Sequence, residues 1–495
     1  MGVQGLWSLL EGNNRIYQEF QFRDSKLVVD GSSLAHHIYN MANLDQNHGG
    51  EYLAFQAEVQ TFFKALDNCQ IKAYVVIDGS SGPSDIKLNH RMDLQRTRVK
   101  KIPDALKGGK MDFYALFSTT VFEQTLNNMK VPLVRCIGQA DGQLAALASE
   151  WRCPVLSTDT DFYIYDLPEG VLPLDHFQWD SVIASGARSY ISCKRYTTSS
   201  FCSLFNIDHQ LLPVFATLAG NDYVNRRDVE WARYVPAGSP TMNFRTSSLV
   251  GLLSWLGARK DETTEDTLTA AMALIPNIGQ QARTEMWTEV QNAMLEYRLP
   301  SSSLQRFFSE ATVLPLPAEI LSWVPEWVRA SVARGDLGYF STIQDYDILL
   351  HRRKFLRIQV ECSHLQSSNL TSRPIRRVMY GLLLEQGGPE VEEWDRDGLG
   401  LVSVKARPLV QGAAQKLRLD SVPQGNHAVR LRVCLETLGV EEEALEGVPD
   451  HLRLPVAVTW YWLRRASPEK RLLRALLMVM VQGELTRLTG GTTGR

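Results

Sequence analysis

Three apolar runs in the first third of the chain end in acid. KLVVD closes on Asp30, AYVVID closes on Asp78, and PVLST runs directly into Asp159-Thr160-Asp161. A buried strand is stabilised by taking apolar side chains out of water, and a carboxylate at its end resists that burial unless something compensates it. A lone terminal aspartate is the ordinary N-cap of a following helix, which suffices for Asp30 or Asp78 taken singly. Four acids at equivalent strand ends call for more. In Asp159-Thr160-Asp161 the i, i+2 spacing puts both side chains on one face of an extended segment, where two anions about 5 to 7 Å apart repel without a cation between them.

The same runs set the expected fold. Strand-like segments at 26–30, 73–78, 132–136 and 154–158 alternate with helical patterns at 53–66, 113–129 and 138–150, the rhythm of a mostly parallel sheet flanked by helices. Acids at the strand ends then face one crevice, the usual binding edge of an open α/β sheet. This α/β domain is expected over 1–225, with a basic segment at about 80–130. A helical domain follows over 235–360, then a linker or loop at 361–373 (CSHLQSSNLTSR begins at Cys362), a helical C-terminal region over 374–488 and a disordered tail over 489–495.

Composition narrows the classes. The formal net charge is -3, so contact with nucleic acid has to come from local basic clusters. Seven cysteines are widely spaced with no C-x-x-C pair, which excludes the common zinc and redox motifs and fits a reducing compartment. The first residues, MGVQGLWSLL, lack a signal-peptide pattern, and the apolar stretch 475–481 is far short of the roughly 20 residues a membrane span needs. A protein that does not enter membranes is expected. Leu6 stands where a myristoylation motif needs Ser or Thr, so Gly2 is not read as a lipid site.

Clustered acids suit hard, oxygen-seeking divalent ions, and phosphodiester hydrolysis is the reaction two such ions about 4 Å apart serve best. The ten histidines show no ligand spacing, and no phosphate-binding loop or nucleophile elbow competes for the site.

Six ordered blocks carry a resemblance: MGVQGL, VVDGSSLAHHIY, YVVIDG, GQADGQLAALA, STDTDFYIYD and AGNDYV. Together they are similar to the N-terminal and internal blocks of the flap-endonuclease and XPG nucleases, a PIN-like superfamily. CPVLSTDTDFYIYDL, FATLAGNDYV and YGLLL resemble its Asteroid branch. The resemblance implies a flap-endonuclease-like α/β fold followed by helical domains, and two Mg2+ or Mn2+ ions. It assigns Asp30 and Asp78 to the first metal site and Asp159, Asp161 and Asp222 to the second. Asp141 matches the first of two glutamates in the family's acidic block, and Gln143 stands where the second is expected. An amide there brings no charge, so weaker binding of the first ion follows.

Residues 85–110 carry Lys87, Arg91, Arg96, Arg98, Lys100, Lys101, Lys107 and Lys110 against three aspartates, a local charge of +5. Such a run is ordinarily a solvated helix face. The resembling nucleases place a helical gateway at this point, which makes Lys87 and Arg91 the expected phosphate-steering pair and Arg96, Arg98, Lys100 and Lys101 further DNA contacts. The duplex-gripping turn expected after AGNDYV is absent from VNRRDVEWARYVPAG, and IPNIGQQA matches it only weakly. The resemblance therefore implies an endonuclease that cuts single-stranded segments of DNA, as flaps, overhangs or splayed ends, in nuclear DNA repair beside repair proteins. The alternative is a catalytically weak adaptor that binds nucleic acid or protein partners.

Overall fold

The runs that end in acid form adjacent strands. The computed structural model describes residues 2–13, 15–79, 85, 87–109, 115–136, 138–186, 188–224, 229–275, 279–310, 321, 324–333, 346–384, 388–417, 419 and 427–490. The chain divides into two compact units, Met1–Val324 with Arg329–His351 and Arg357–Cys362, and Pro325–Val328 with Arg352–Leu356 and Ser363–Arg495.

Among the described residues of the first unit, one sheet contains β1 (Tyr17–Phe22), β2 (Lys26–Asp30), β3 (Lys72–Ile77), β4 (Leu133–Arg135), β5 (Val155–Ser157), β6 (Val171–Pro173), β7 (Ile183–Ser185) and β8 (Arg188–Tyr196). Its order is β1-β8-β6-β5-β2-β3-β4, with β7 paired to β8. Strands β6, β5, β2, β3 and β4 run parallel, and β8 closes that side antiparallel to β6. Chain order proceeds from β2 through β3 to β4 on one side and from β5 to β6 on the other, so β2 and β5 flank a topological switch point. There the connecting segments diverge to opposite sides and leave a crevice at the strands' carboxyl ends.

Both faces of the parallel strands are covered, which is why they read as near-continuous apolar runs. Val28, Val76 and Val155 join a core with the helices Leu6–Glu11, Asp141–Trp151, Leu212–Ala219 and Phe244–Gly257. Leu27, Val29, Val75 and Leu156 point the other way, toward Gly31–Met41, Tyr52–Asn68 and Ser118–Asn128.

Of the helices expected to form a separate domain over 235–360, Phe244–Gly257, Thr264–Ala273 and Gln280–Leu295 instead pack into this unit. Leu249, Leu252, Leu268, Met286 and Val290 bury in the same core as Val28 and Val155. Their apolar faces find the sheet's covering helices.

The second unit adds a small sheet that the expected helical region 374–488 did not include. Strands β9 (Arg353–Phe355), β10 (Val391–Asp397) and β11 (Gly400–Ala406) pair in the order β11-β10-β9. Gly398, at φ 57, turns the β10–β11 hairpin, a conformation that costs glycine little. The expected linker 361–373 is also different, because the helix Asn369–Leu383 begins inside it. Its polar residues bind other parts of this unit: Asn369 Nδ2 donates to Asp395 (3.1 Å) and Arg373 Nε to Glu393 (2.8 Å). The helices His427–Leu438, Asp450–Ala466 and Lys470–Gly490 complete the unit, the last reaching into the expected tail, of which 491–495 lie outside the described residues. No helix among the described residues is long and apolar enough to cross a membrane.

Candidate active site

The six aspartates come from strand ends, a 3-10 turn, the first turn of one helix (Asp141) and the segment after another. Asp30 ends β2 and caps the helix after it: Oδ1 accepts from Ser33 N (3.0 Å) and Oδ2 from Ser157 Oγ (2.6 Å). Asp78 follows β3 and accepts from Ala140 N at 2.9 Å, which ties it to the start of the helix Asp141–Trp151. Asp159 follows β5, and its Oδ1 accepts from Asp161 N at 3.1 Å in a short 3-10 turn. The anticipated extended i, i+2 pair is thus a turn, in which the first aspartate caps the second. Asp222 follows the helix Leu212–Ala219, and its Oδ1 accepts from Gly2 N at 3.1 Å.

One carboxylate oxygen each from Asp141, Asp159 and Asp161 lies within 4.8 Å of the others, all three residues being buried. Asp161 Oδ2 is buried without a hydrogen-bond partner. This donor set fits a hard divalent cation. It joins Asp141, expected in the acidic block with Gln143, to two of the three acids expected at the second ion.

Burial sets the electrostatics. It pushes Asp161 up to about 7, with Asp159 adding to the rise, and Asp30 up to about 6, with Asp78 adding. Asp141 and Asp159 are raised for the same first reason, desolvation of the charged form. Lys87 Nζ enters this group, 3.4 Å from Asp141 Oδ2 and 3.7 Å from Asp222 Oδ2. Burial alone would lower its pKa; Asp141, Tyr223, Asp161 and Asp222 outweigh that and hold it well above the ordinary lysine value. The ammonium also sits 4.7 Å above the Tyr223 ring.

No family model matches the chain. Single-strand DNA endonuclease ASTE1 of Danio rerio is 36% identical over 512 residues, covering 98% of this chain and 71% of that protein. The Homo sapiens protein of the same name is 33% identical over 508 residues, with 98% and 73% covered. The chain belongs to the ASTE1 family. Protein asteroid of Drosophila melanogaster is 27% identical to this ASTE1-family chain over 365 residues, covering 63% of it and 42% of the fly protein. Among solved structures, the catalytic core of Rad2 in complex with DNA substrate matches at 14% identity over 70% of this chain and 99% of that one, with a TM-score of 0.35. Flap endonuclease-1 from Methanococcus jannaschii matches at 14% identity over 70% and 98%, with a TM-score of 0.33.

The basic segment of this family member divides by position. Lys87 caps the helix Leu88–Leu106 and reaches the acids. Arg91, its expected partner, turns instead to Asp347, with Nη2 2.8 Å from Oδ2. Arg96 pairs with Asp93 at 2.8 Å on the exposed face, Arg98 is half-buried and held below the ordinary arginine value by burial and by Arg357, and Lys100 is exposed with Lys101 half-exposed. Val99, Ile102 and Ala105 form the helix's buried stripe with Ile358. Lys110, residues 80–84 and 111–114 of the gateway, 225–228 after AGNDYV and 276–278 of IPNIGQQA lie outside the described residues. Gln143 is in the first turn after Asp141, its Oε1 buried and without a hydrogen-bond partner.

Four contributors were not picked out from the sequence. Ser157 Oγ donates to Asp30, and it accepts from Asp159 N at 2.9 Å. His90 Nε2 stands 3.7 Å from Asp222 Oδ1, one turn along the helix from Lys87. Tyr297 Oη reaches Asp161 from 136 residues away. Gly2 is the fourth: at φ +85, a Cβ there would meet Asp159 Oδ1 at 2.5 Å. The repeated glycines of MGVQGL were the available clue, and the site itself explains the first of them.

Proposed function

We propose that this chain is a divalent-metal-dependent DNA endonuclease that cuts single-stranded segments in flaps, overhangs or splayed ends, acting in nuclear DNA repair, with the cytoplasm as a second location. The observation that carries this reading is the buried Asp141, Asp159 and Asp161 set, with one orphaned oxygen, at the switch point of a parallel sheet. The names of the ASTE1 relatives support the DNA substrate. Seven free thiols suit a reducing nuclear setting. Mg2+ or Mn2+, as one or two ions, is the cofactor of this reading.

Asp141, Asp159 and Asp161 would hold an ion directly, with Asp222, Asp78 and Asp30 the nearest further carboxylates. When bound, such ions supply the Lewis acidity that phosphodiester hydrolysis requires, activating water and neutralising charge on the phosphate. The chain's own part is to hold the anions close, keep bulk water from them, and bring a cation to the phosphate. Lys87 would serve that last role: its ammonium, shared between Asp141 and Asp222, is the one among the described residues that would offset charge growing on an incoming phosphate in the transition state. Lys100, Lys101, Arg96 and Arg98 would contribute salt-dependent affinity along the strand.

The test is cleavage of end-labelled flap, fork, overhang and single-stranded DNAs with Mg2+, Mn2+ or chelator. Cutting is expected only with metal, and Asp159→Ala or Asp161→Ala should each reduce it by about three orders of magnitude, the equivalent of several kcal/mol of lost charge stabilisation, with an unchanged circular dichroism spectrum. Retained DNA binding with no cleavage of any substrate would instead favour the adaptor role, to which the uncharged Gln143 also points.

A further inference from the structure

Asp161 is 1% exposed, with one oxygen bonded and the other bare. Its Oδ1 accepts from Tyr297 Oη at 2.7 Å. Tyr297 lies in the turn after the helix Gln280–Leu295, whose Val290 and Met286 share a core with Val214 and Leu218 of the helix leading to Asp222. That packing brings a residue from a distant segment to the floor of the crevice.

The direction of each proton in this contact is determined. Asn221 Oδ1 accepts from the backbone N–H groups of Tyr223 (3.0 Å) and Val224 (2.8 Å), so its amide is oriented with Nδ2 outward. Nδ2 then donates to Tyr297 Oη at 3.0 Å. A phenol has one proton, and Nδ2 cannot accept it. The proton of Tyr297 therefore goes to Asp161 Oδ1, and the chain of donation runs from the 221–224 turn through Asn221 and Tyr297 to the carboxylate.

We propose that Tyr297 is a positioning residue for the metal: by binding Asp161 Oδ1 it fixes the carboxylate's rotation and presents Oδ2 to the cation. The inference rests on the divalent-metal reading above. A partner that orients a ligand carries part of the binding free energy, and losing one typically lowers metal affinity about 10- to 100-fold. Tyr165 supplies the control. Its ring is 5.6 Å from that of Tyr297, but its Oη donates to the backbone carbonyl of Glu296 (2.9 Å).

Mn2+ binding to the full chain without DNA, measured by calorimetry, tests this alongside melting in chelator. Tyr297→Phe should weaken Mn2+ binding by about tenfold or more, and the Mg2+ concentration for half-maximal cleavage should rise in proportion, with a smaller loss of rate at saturating Mg2+. Tyr165→Phe, which loses only a bond to a backbone carbonyl, should lower the melting temperature and shift the Mn2+ isotherm far less than Tyr297→Phe. Should Tyr297→Phe fail to fold, Asn221→Asp offers an independent route: it keeps the acceptor for the turn but draws the Tyr297 proton to itself, so Mn2+ binding should weaken despite the added negative charge. A Tyr297→Phe isotherm equal to wild type overturns the proposal, as does tighter binding by Asn221→Asp. If wild type and Asp161→Ala give the same isotherm, the metal reading fails and this inference falls with it; unequal isotherms for those two with no effect of Tyr297→Phe sink the positioning role alone.

Discussion

Glu393 in the second unit and the aspartates at the crevice of the first are buried alike and treated in opposite ways. In the second unit Glu393 of β10 is 0% exposed and fully matched: Arg373 Nε donates at 2.8 Å, Arg376 Nε at 2.5 Å and Nη2 at 2.9 Å, and Tyr380 Oη at 2.8 Å. Burial would raise its pKa, but the hydrogen bonds and charge of Arg376, with Tyr380 and Arg373, hold it below the usual glutamate value. In the first unit Asp30, Asp141, Asp159 and Asp161 are buried and burial raises them all, although Lys87 opposes the rise at Asp141, Asp159 and Asp161 and the amino terminus opposes it at Asp159. All are nearly closed to solvent; the counter-charge among the described residues differs. Glu393 is supplied with its cations by the chain, whereas the aspartates at the crevice are the ones for which we propose a cation from outside.

Removing charge should therefore have opposite signs in the two regions. Glu393→Gln leaves Arg373 and Arg376 without their anion, and should cost about 3 to 5 kcal/mol of stability in denaturant melts, with or without metal. The pH dependence follows from the lowered pKa. The unfolded glutamate takes up its proton first, near pH 4.5, so the contribution of Glu393 is fully present above that value and is lost as pH falls through the folded one. The gap between wild type and Glu393→Gln should narrow from pH 7 toward pH 3; a constant gap would mean that shape, not charge, is at work there.

Next in size is the separation of Lys87 from Arg91. Lys87→Ala should slow single-turnover cleavage by about 10- to 100-fold while leaving DNA affinity nearly unchanged, because its ammonium acts where charge develops. Arg91→Ala should act through its bond to Asp347, lowering melting temperature with a much smaller effect on rate. Equal kinetic losses would place Arg91 at the phosphate after all.

A smaller effect tests the acids directly. In chelator, Asp159→Asn should raise the melting temperature, since it removes a charge from an under-neutralised cluster while keeping an oxygen for Asp161 N. Saturating Mg2+ should reverse the ranking. Destabilisation of equal size under both conditions would make Asp159 a structural acceptor like Glu393. Smallest of all, Gln143→Glu should lower the Mg2+ concentration for half-maximal cleavage several-fold, because affinity for a hard cation follows carboxylate count; superimposable titrations would remove Gln143 from the site.

Local chemistry made part of this legible. Buried parallel strands require continuous apolar runs, and an aspartate at the end of one is conspicuous, so Asp30, Asp78, Asp159 and Asp161 could be picked out before any coordinates. The alternation in VEEWDRD and GLVSVKA around Asp397-Gly398 was equally local, yet the whole of 374–488 was read as helical. Polar residues at 367–373 looked like a solvated loop because nothing nearby announces that Glu393 is their partner.

What the sequence by itself determined is which segments bury, where they stop, and that several acids stop together. Tertiary structure alone decided the rest. Lys87 and Arg91 are four residues apart on one helix and nearly equivalent in sequence, but packing puts Asp347 beside one and the crevice beside the other. Tyr297 meets Asp161 only because two distant helices share a core. The free energy of a charge depends on which groups lie within a few ångströms, and long-range contacts set that distance where chain neighbours do not.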